Sequence, residues 1–167
     1  MGCDVNDLKI VPYSSNHRDS VVNLALLAWA PVFEKLEQEY PRFVYQNFWP
    51  NGWQAGQSAA VSTFLEKEPD KVWVALDDDS LVGFVGVALH QESKMGEVCI
   101  VAVLPSYQRK GVAKSLMAFA ESKLRAAGMT MVMVETGGDA GHESARLTYD
   151  SAGYDRLSVV RYFKPLT

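Results

Sequence analysis

The sequence predicts a mixed α/β fold: one twisted mixed sheet with helices on both faces. Three observations carry that expectation. Two apolar, β-branched runs at 71–76 and 81–90 flank Asp77-Asp78-Asp79-Ser80, a hairpin turn signal. A third such run, 95–103, leads through Leu104-Pro105 into a helical pattern over 111–127 and then into a fourth apolar run at 129–135. A strand–helix–strand unit of this kind makes its two strands parallel, so the sheet must be mixed.

The elements follow in order. Residues 8–13 form a short strand candidate. Ser14 and Ser15 are plausible N-caps for a helix over 18–29, with Val21, Val22, Leu24, Ala25 and Ala28 along its apolar side. Pro31 should interrupt or kink it, because proline has no N–H to donate, with helical character resuming over 33–40. Residues 41–51 read as aromatic and irregular, and 53–67 as another helix. The helix 111–127 carries Val112, Leu116, Ala120, Leu124 and Ala127 on one face and ends at Gly128. A loop at 136–141 holds three glycines, a short helix over 143–152 stops at Gly153, and 154–165 reads as a terminal strand.

The 167 residues suit one domain with a sizeable core, and no linker, repeat or low-complexity segment divides them. Net charge is −4, which argues against a non-specific nucleic-acid binder. The two cysteines, Cys3 and Cys99, suggest no disulfide framework, and a cytoplasmic location is expected. No apolar run approaches a membrane span, so no membrane partner is expected. The start Met1-Gly2-Cys3 resembles neither a signal peptide nor, with Asn6 in place of Ser or Thr, a myristoylation site. His17 and His90 lack metal-ligand spacing, read as structural or surface residues, and no metal is expected. Met129, Met131 and Met133 read as core filler.

Two motifs carry chemistry. In Gln108-x-x-Gly111-x-Ala113, glycine lets the backbone approach a ligand, and small Ala113 lets the helix start sit close to the strand. Arg109, Lys110 and Lys114 add positive charge beside amides at a helix N-terminus, where an anionic phosphate fits. The Walker and Rossmann glycine patterns are both absent. Taken alone, the motif reads equally as a basic helix start in a surface loop. The second motif is Ala145-x-x-x-Tyr149-x-x-x-Gly153-Tyr154, which on a helix sets Ala145 and Tyr149 on one face. Ala145 leaves room beside the Tyr149 hydroxyl, although a core tyrosine satisfies the same pattern.

With residues 100–113 and Ala145…Tyr149…Gly153-Tyr154 in this order, the chain resembles the GNAT superfamily of acyl-CoA-dependent N-acyltransferases from about residue 71 to 154. The resemblance implies one GNAT-like domain over 1–167, with 1–70 a variable acceptor-side part and 71–154 the cofactor-binding core. It implies splayed central parallel strands, with strand 95–103 bulged near its end and parting from strand 129–135. The pantetheine arm of acetyl-CoA would pair there with backbone groups of Val101, Ala102 and Val103, like an added strand. The pyrophosphate would sit on the amides of Arg109, Lys110, Gly111, Val112, Ala113 and Lys114, beside Gln108. A backbone N–H near Val103 would polarise the thioester carbonyl, and Tyr149 would protonate the departing thiolate.

The acceptor amine arrives mostly protonated, so a base is needed. Glu97 precedes Gly111 by fourteen residues, the spacing at which some members of the family place a catalytic glutamate. Simple alternation sets Glu97, Cys99, Val101 and Val103 on one face. An acid at the head of an apolar strand is costly unless partnered or used, or unless it reaches solvent at the strand edge. Glu135 on the next strand is the second candidate. Where relatives often carry Asn at the last helix, this chain has His142, which could contact the cofactor, shuttle a proton or, as the favoured reading, cap the helix. The segment after Gly153 leaves little room for the usual terminal hairpin. In the variable part, Trp29, Phe33, Tyr40, Phe43, Tyr45, Phe48, Trp49 and Trp53 lie among Glu34, Glu37 and Glu39. They could cradle a cation, though a core with a solvated rim is the favoured reading.

The expected activity is acetyl transfer from acetyl-CoA directly to a primary amine, more readily that of a small molecule, by a monomer or homodimer. The alternatives are a protein N-terminal or lysine acetyltransferase and a non-catalytic acyl-CoA sensor. A pure binder would need neither Tyr149 nor Glu97.

Overall fold

A computed structural model describes residues 8–166; Cys3 and the Met1-Gly2 start lie outside them. Five strands form one sheet in the order β1-β2-β3-β4-β5. Strands β1 (Lys9–Pro12), β2 (Val72–Asp77), β3 (Ser80–His90) and β4 (Met95–Val103) are successive antiparallel neighbours. Strand β5 (Met131–Val134) runs parallel to β4, as the crossover requires. The helices are α1 (Arg18–Glu39), α2 (Arg42–Phe48), α3 (Trp53–Lys67), α4 (Val112–Ala126) and α5 (Glu143–Ser151). No helix among the described residues is long and apolar enough to cross a membrane.

The sheet is covered on both faces. Val21, Leu24 and Ala25 of α1 and Val61 and Leu65 of α3 pack on Val72, Val74, Phe84 and Ala102. On the other face Val112, Leu116, Ala120 and Leu124 of α4 pack on Ala75, Val85, Val87, Val98 and Val103. Burying each valine, leucine or phenylalanine among them is worth about 1.5–3 kcal/mol, so these two layers dominate the fold. The fifth residue of the expected α4 face, Ala127, is exposed, because Gly128 takes a left-handed φ of 82° and ends the helix just before it.

Four sequence expectations need correction. Pro31 does not interrupt α1, which runs unbroken for 22 residues. A proline in a helix interior costs about 3 kcal/mol. Buried Val21, Leu24 and Ala25 before it and Phe33 and Leu36 after it anchor both halves, so the helix continues through the proline. Residues expected to be irregular contain α2, with Val44 buried as its anchor. The loop before α5 holds a 3₁₀ turn, Ala140–His142. Residues 154–166 form no strand and pair with nothing in the sheet.

Candidate active site

The site starts where β4 and β5 stop pairing. Their register runs from Met95↔Met131 to Val98↔Val134 and ends there, while β4 continues to Val103. At the same point β4 is bulged: Val87 pairs with Val98 and Gly86 with Ile100, leaving Cys99 as the extra residue. A bulge bends its strand and sharpens its twist, which turns the rest of β4 away from β5. The bulge thus lies at mid-strand rather than near the end, and Cys99 is exposed rather than packed in the strand. Partial desolvation by the surrounding strand and the Glu97 carboxylate both raise the thiol pKa of this part-covered side chain, to about 11.

The extra residue also corrects the face assignment. Val98 packs with α4, as do Val101 and Val103, whereas Ile100 and Ala102 pack with α1 and α3. Glu97 alternates with Val98, so it lies on the α1–α3 side, opposite Val101 and Val103. There it meets a residue that sequence reasoning had set aside. His90 Nε2 and Glu97 Oε2 are 2.7 Å apart, with side-chain exposures of 44% and 29%. Pairing of Ala88 with Glu97 and of His90 with Met95 brings the two together, and a one-residue slip would part them. Glu135 is open to solvent and is held by Arg161 at 3.0 Å.

Past Val103 the chain makes a basic turn into α4. Arg109 (φ 59°) and Gly111 (φ 86°) both take left-handed conformations, and α4 begins at Val112. Successive turns of this kind aim neighbouring N–H groups into one concavity, and the first N–H groups of α4 have no partner within the helix. A Cβ built on Gly111 meets nothing within 4 Å, so the space beside this residue is open. Arg109 and Lys114 make no ion pair among the described residues, and Lys110 Nζ lies 5.0 Å over the Tyr107 ring. Tyr107 donates to Asp77 Oδ2 at 2.7 Å, and Gln108 Nε2 donates to the Val103 carbonyl at 3.1 Å. These two bonds fix the turn to the sheet. The open amides and uncommitted cations fit a diphosphate.

Tyr149 enters from the other side. It packs on the α4-side core, and its ring lies 6.0 Å from that of Tyr154. Burial raises its pKa, so the phenol keeps its proton at neutral pH. Its hydroxyl makes no hydrogen bond among the described residues, whereas that of Tyr154 donates to Glu121 at 2.8 Å. A protonated, unengaged phenol is able to donate. Tyr149 thus packs on the α4 side of the sheet, and Glu97 lies on the α1–α3 side.

His142 does not cap α5 with its side chain. Asp139 caps the turn instead, accepting from the His142 N–H at 3.2 Å, and its Oδ2 lies 2.8 Å from His142 Nδ1. Burial opposes ionisation of Asp139, but its bonds to His142 outweigh that and lower its pKa. Arg146 Nη1 donates to the carbonyls of Gly137 and Asp139 at 2.7 and 2.6 Å, and the Ala140 N–H reaches Glu39 of α1 at 3.3 Å. A Cβ at Gly137 would stand 2.2 Å from Asp139 Oδ2 and 2.6 Å from His142 Nδ1, so a larger residue there would displace that pair. Among the variable aromatics, Phe33 stacks on Trp53 at 4.4 Å and meets Trp49 edge-on at 5.0 Å. They form a packed cluster with Tyr45 at 4.9 Å from Trp49, while Glu39 of α1 is engaged with the 137–142 loop.

A profile of the acetyltransferase (GNAT) family matches residues 29–154. The mycothiol acetyltransferase of Rhodococcus jostii (strain RHA1) is 35% identical over 89 residues, 51% of this chain and 28% of that protein. The matched stretch thus spans well under a third of that relative's length. The aminoglycoside N-acetyltransferase AAC(6')-Iy, solved with a CoA bisubstrate analogue, aligns over 97% of this chain and 100% of its own at a TM-score of 0.63 and 16% identity. The ribosomal-protein-S18-alanine N-acetyltransferase of Escherichia coli aligns over 96% of this chain and 85% of its own at a TM-score of 0.65 and 17% identity. Solved relatives of this fold thus act, by their names, on both small-molecule and protein amines. The family profile and the shared fold together establish that the chain belongs to the acetyltransferase (GNAT) family, whose cosubstrate is acetyl-CoA.

Proposed function

We propose that this protein transfers an acetyl group from acetyl-CoA directly to a primary amine of a small molecule. The observation that carries the proposal is the end of β4–β5 pairing at Val98↔Val134, followed along the same strand by the open basic turn at Arg109–Gly111. Residues 71–154 hold the cosubstrate and residues 1–70 shape the acceptor side. Acetyl-CoA supplies the activated thioester. Backbone groups of Val101, Ala102 and Val103 line its arm. The amides and cations of Arg109, Lys110, Gly111, Val112, Ala113 and Lys114 take its diphosphate, with Gln108 bracing the turn and His142 at the mouth.

Glu97 takes the proton of the acceptor ammonium, freeing the lone pair that attacks. His90, at 2.7 Å and more exposed, passes that proton to solvent. The freed nitrogen adds to the thioester carbonyl carbon, whose oxygen takes the charge under the N–H near Val103. The carbon–sulfur bond then breaks as the carbonyl reforms, and Tyr149 gives its proton to the departing sulfur. The amine enters from the α1–α3 side, which holds Glu97, and the thiol leaves toward α5, which holds Tyr149. The net charge of −4 favours a cationic acceptor, which supports the small-molecule reading over a protein one.

The test is thiol release from acetyl-CoA over a panel of small amines and of peptides with free N-termini or lysines. Turnover on small amines supports the proposal. Turnover on peptides alone assigns a protein acceptor, and tight acetyl-CoA binding without turnover on any amine assigns a sensor.

A further inference from the structure

Tyr149 stands on a weakly supported helix. Among the described residues, α5 is the one α-helix without a buried residue. Its nine residues make it marginal in isolation, so tertiary contacts decide where it lies. The Tyr149 ring packs on the α4-side core, while Leu147, two residues earlier, is 62% exposed. One packed ring leaves the N-terminal end of the helix, and with it the direction of the phenol, to polar contacts.

Those contacts centre on Arg146, which lies three residues before Tyr149 and so one turn away. Its Nη1 donates to the carbonyls of both Gly137 and Asp139, at 2.7 and 2.6 Å. One nitrogen thus spans two carbonyls of the loop, which sets the height and the rotation of α5 against it. The loop is held in turn by α1. The Ala140 N–H donates to Glu39 at 3.3 Å, and Lys35 Nζ donates to the Ala140 carbonyl at 3.4 Å. Gly141 approaches α1 so closely that a Cβ there would stand 3.0 Å from the Val32 carbonyl oxygen. Val32, Lys35 and Glu39 recur at helical spacing, so one stripe of α1 serves this loop. The same helix places Phe33 in the aromatic cluster with Trp49 and Trp53. A continuous run of contacts therefore leads from α1, through residues 137–142 and Arg146, to Tyr149.

We propose that Arg146 is a positioning residue for acetyl transfer, holding the Tyr149 phenol within reach of the departing sulfur by fastening α5 to the loop that α1 carries. This rests on the reading of Tyr149 as the acid. Arg146 spends its donors on the protein's own carbonyls and reaches the chemistry only through Tyr149. Proton transfer needs the phenol at hydrogen-bond distance from the sulfur, and a misplacement of about 1 Å costs about 10²-fold in rate. The turn at 109–111 precedes a different helix, α4, so affinity for acetyl-CoA should not follow the loss.

A double-mutant cycle tests this, read as thiol release from acetyl-CoA with an amine that wild type acetylates. Arg146→Gln should lower kcat by about 10–10²-fold and leave KM for acetyl-CoA within a factor of about three. Arg146→Lys should recover most of the rate, because an ammonium also donates to two carbonyls. Added to Tyr149→Phe, however, Arg146→Gln should cost less than about threefold more, since the group it positions is already gone. Glu39→Ala leaves α5 itself intact and carries the same test from the α1 end. It should lower kcat by about three- to tenfold and be equally silent in the Tyr149→Phe background. An unchanged kcat in Arg146→Gln, or losses that add in the double variant, overturns the inference and leaves Tyr149 as the acid. Equal turnover in wild type and Tyr149→Phe overturns both.

Discussion

Replacing Gly111 by valine separates the phosphate cradle from ordinary helix stability. The residue has φ 86° and ψ −5°, and a Cβ there meets nothing within 4 Å. Without ligand the variant suffers only backbone strain, about 1–2 kcal/mol for an L-residue in the left-handed region. For a chain of this size that lowers Tm by about 2–8 °C. With ligand, the branched side chain stands in front of the amides before α4. Loss of two charge-assisted hydrogen bonds at about 1.5–3 kcal/mol each weakens CoA binding by about 10²–10⁴-fold. Gly128, with φ 82° and the same open surroundings, lies at the other end of α4 and serves as the control. Calorimetric titration with CoA and a thermal melt should show similar Tm losses for Gly111→Val and Gly128→Val, with affinity lost only in the former. Equal CoA affinity in wild type and Gly111→Val refutes the cradle.

Tyr149→Phe should leave CoA affinity within a factor of about three and lower kcat by about 10²–10⁴-fold, the range for a lost general acid, read by thiol release. Glu97→Gln should lower turnover at neutral pH, with the deficit shrinking as pH rises and the amine deprotonates itself; a profile parallel to wild type removes Glu97 as base. His90→Gln should give a smaller loss, chiefly in kcat, with KM for acetyl-CoA unchanged. Asp139 titrates below its ordinary value, so its contribution is complete above about pH 4 and is lost as pH falls through its lowered folded-state pKa. Asp139→Asn should abolish that acid-side component in melts taken from pH 6 to pH 3; an unchanged pH dependence of Tm rejects the Asp139–His142 pairing.

The bounds of β4 and α3 and the turn at Asp78 and Asp79 follow from local pattern alone, because hydrophobic period and turn chemistry agree there. Family resemblance reached the parted strands and the amide turn. What local pattern missed depends on contacts distant in sequence. Pro31 reads as a break, yet burial on both of its flanks keeps α1 continuous. Simple alternation sets Glu97 on the face of Val103, and one bulged residue, Cys99, inverts it. No spacing rule links His90 to Glu97; only the antiparallel register of β3 and β4 does. Asp139 looked like part of a flexible glycine loop, and only its contact with His142 shows that the loop is built around it. Residues 154–165 have the composition of a strand, but composition names no partner, and within one chain they find none.

The decisive measurement is a crystal structure of the protein with coenzyme A. The carrier arm should lie against β4 beyond Val98, in the gap left by Val134, with the diphosphate on the amides from Arg109 to Lys114 and the sulfur facing Tyr149. A closed gap, or a carrier bound elsewhere on the surface, contradicts the account and takes the roles of Tyr149 and Glu97 with it.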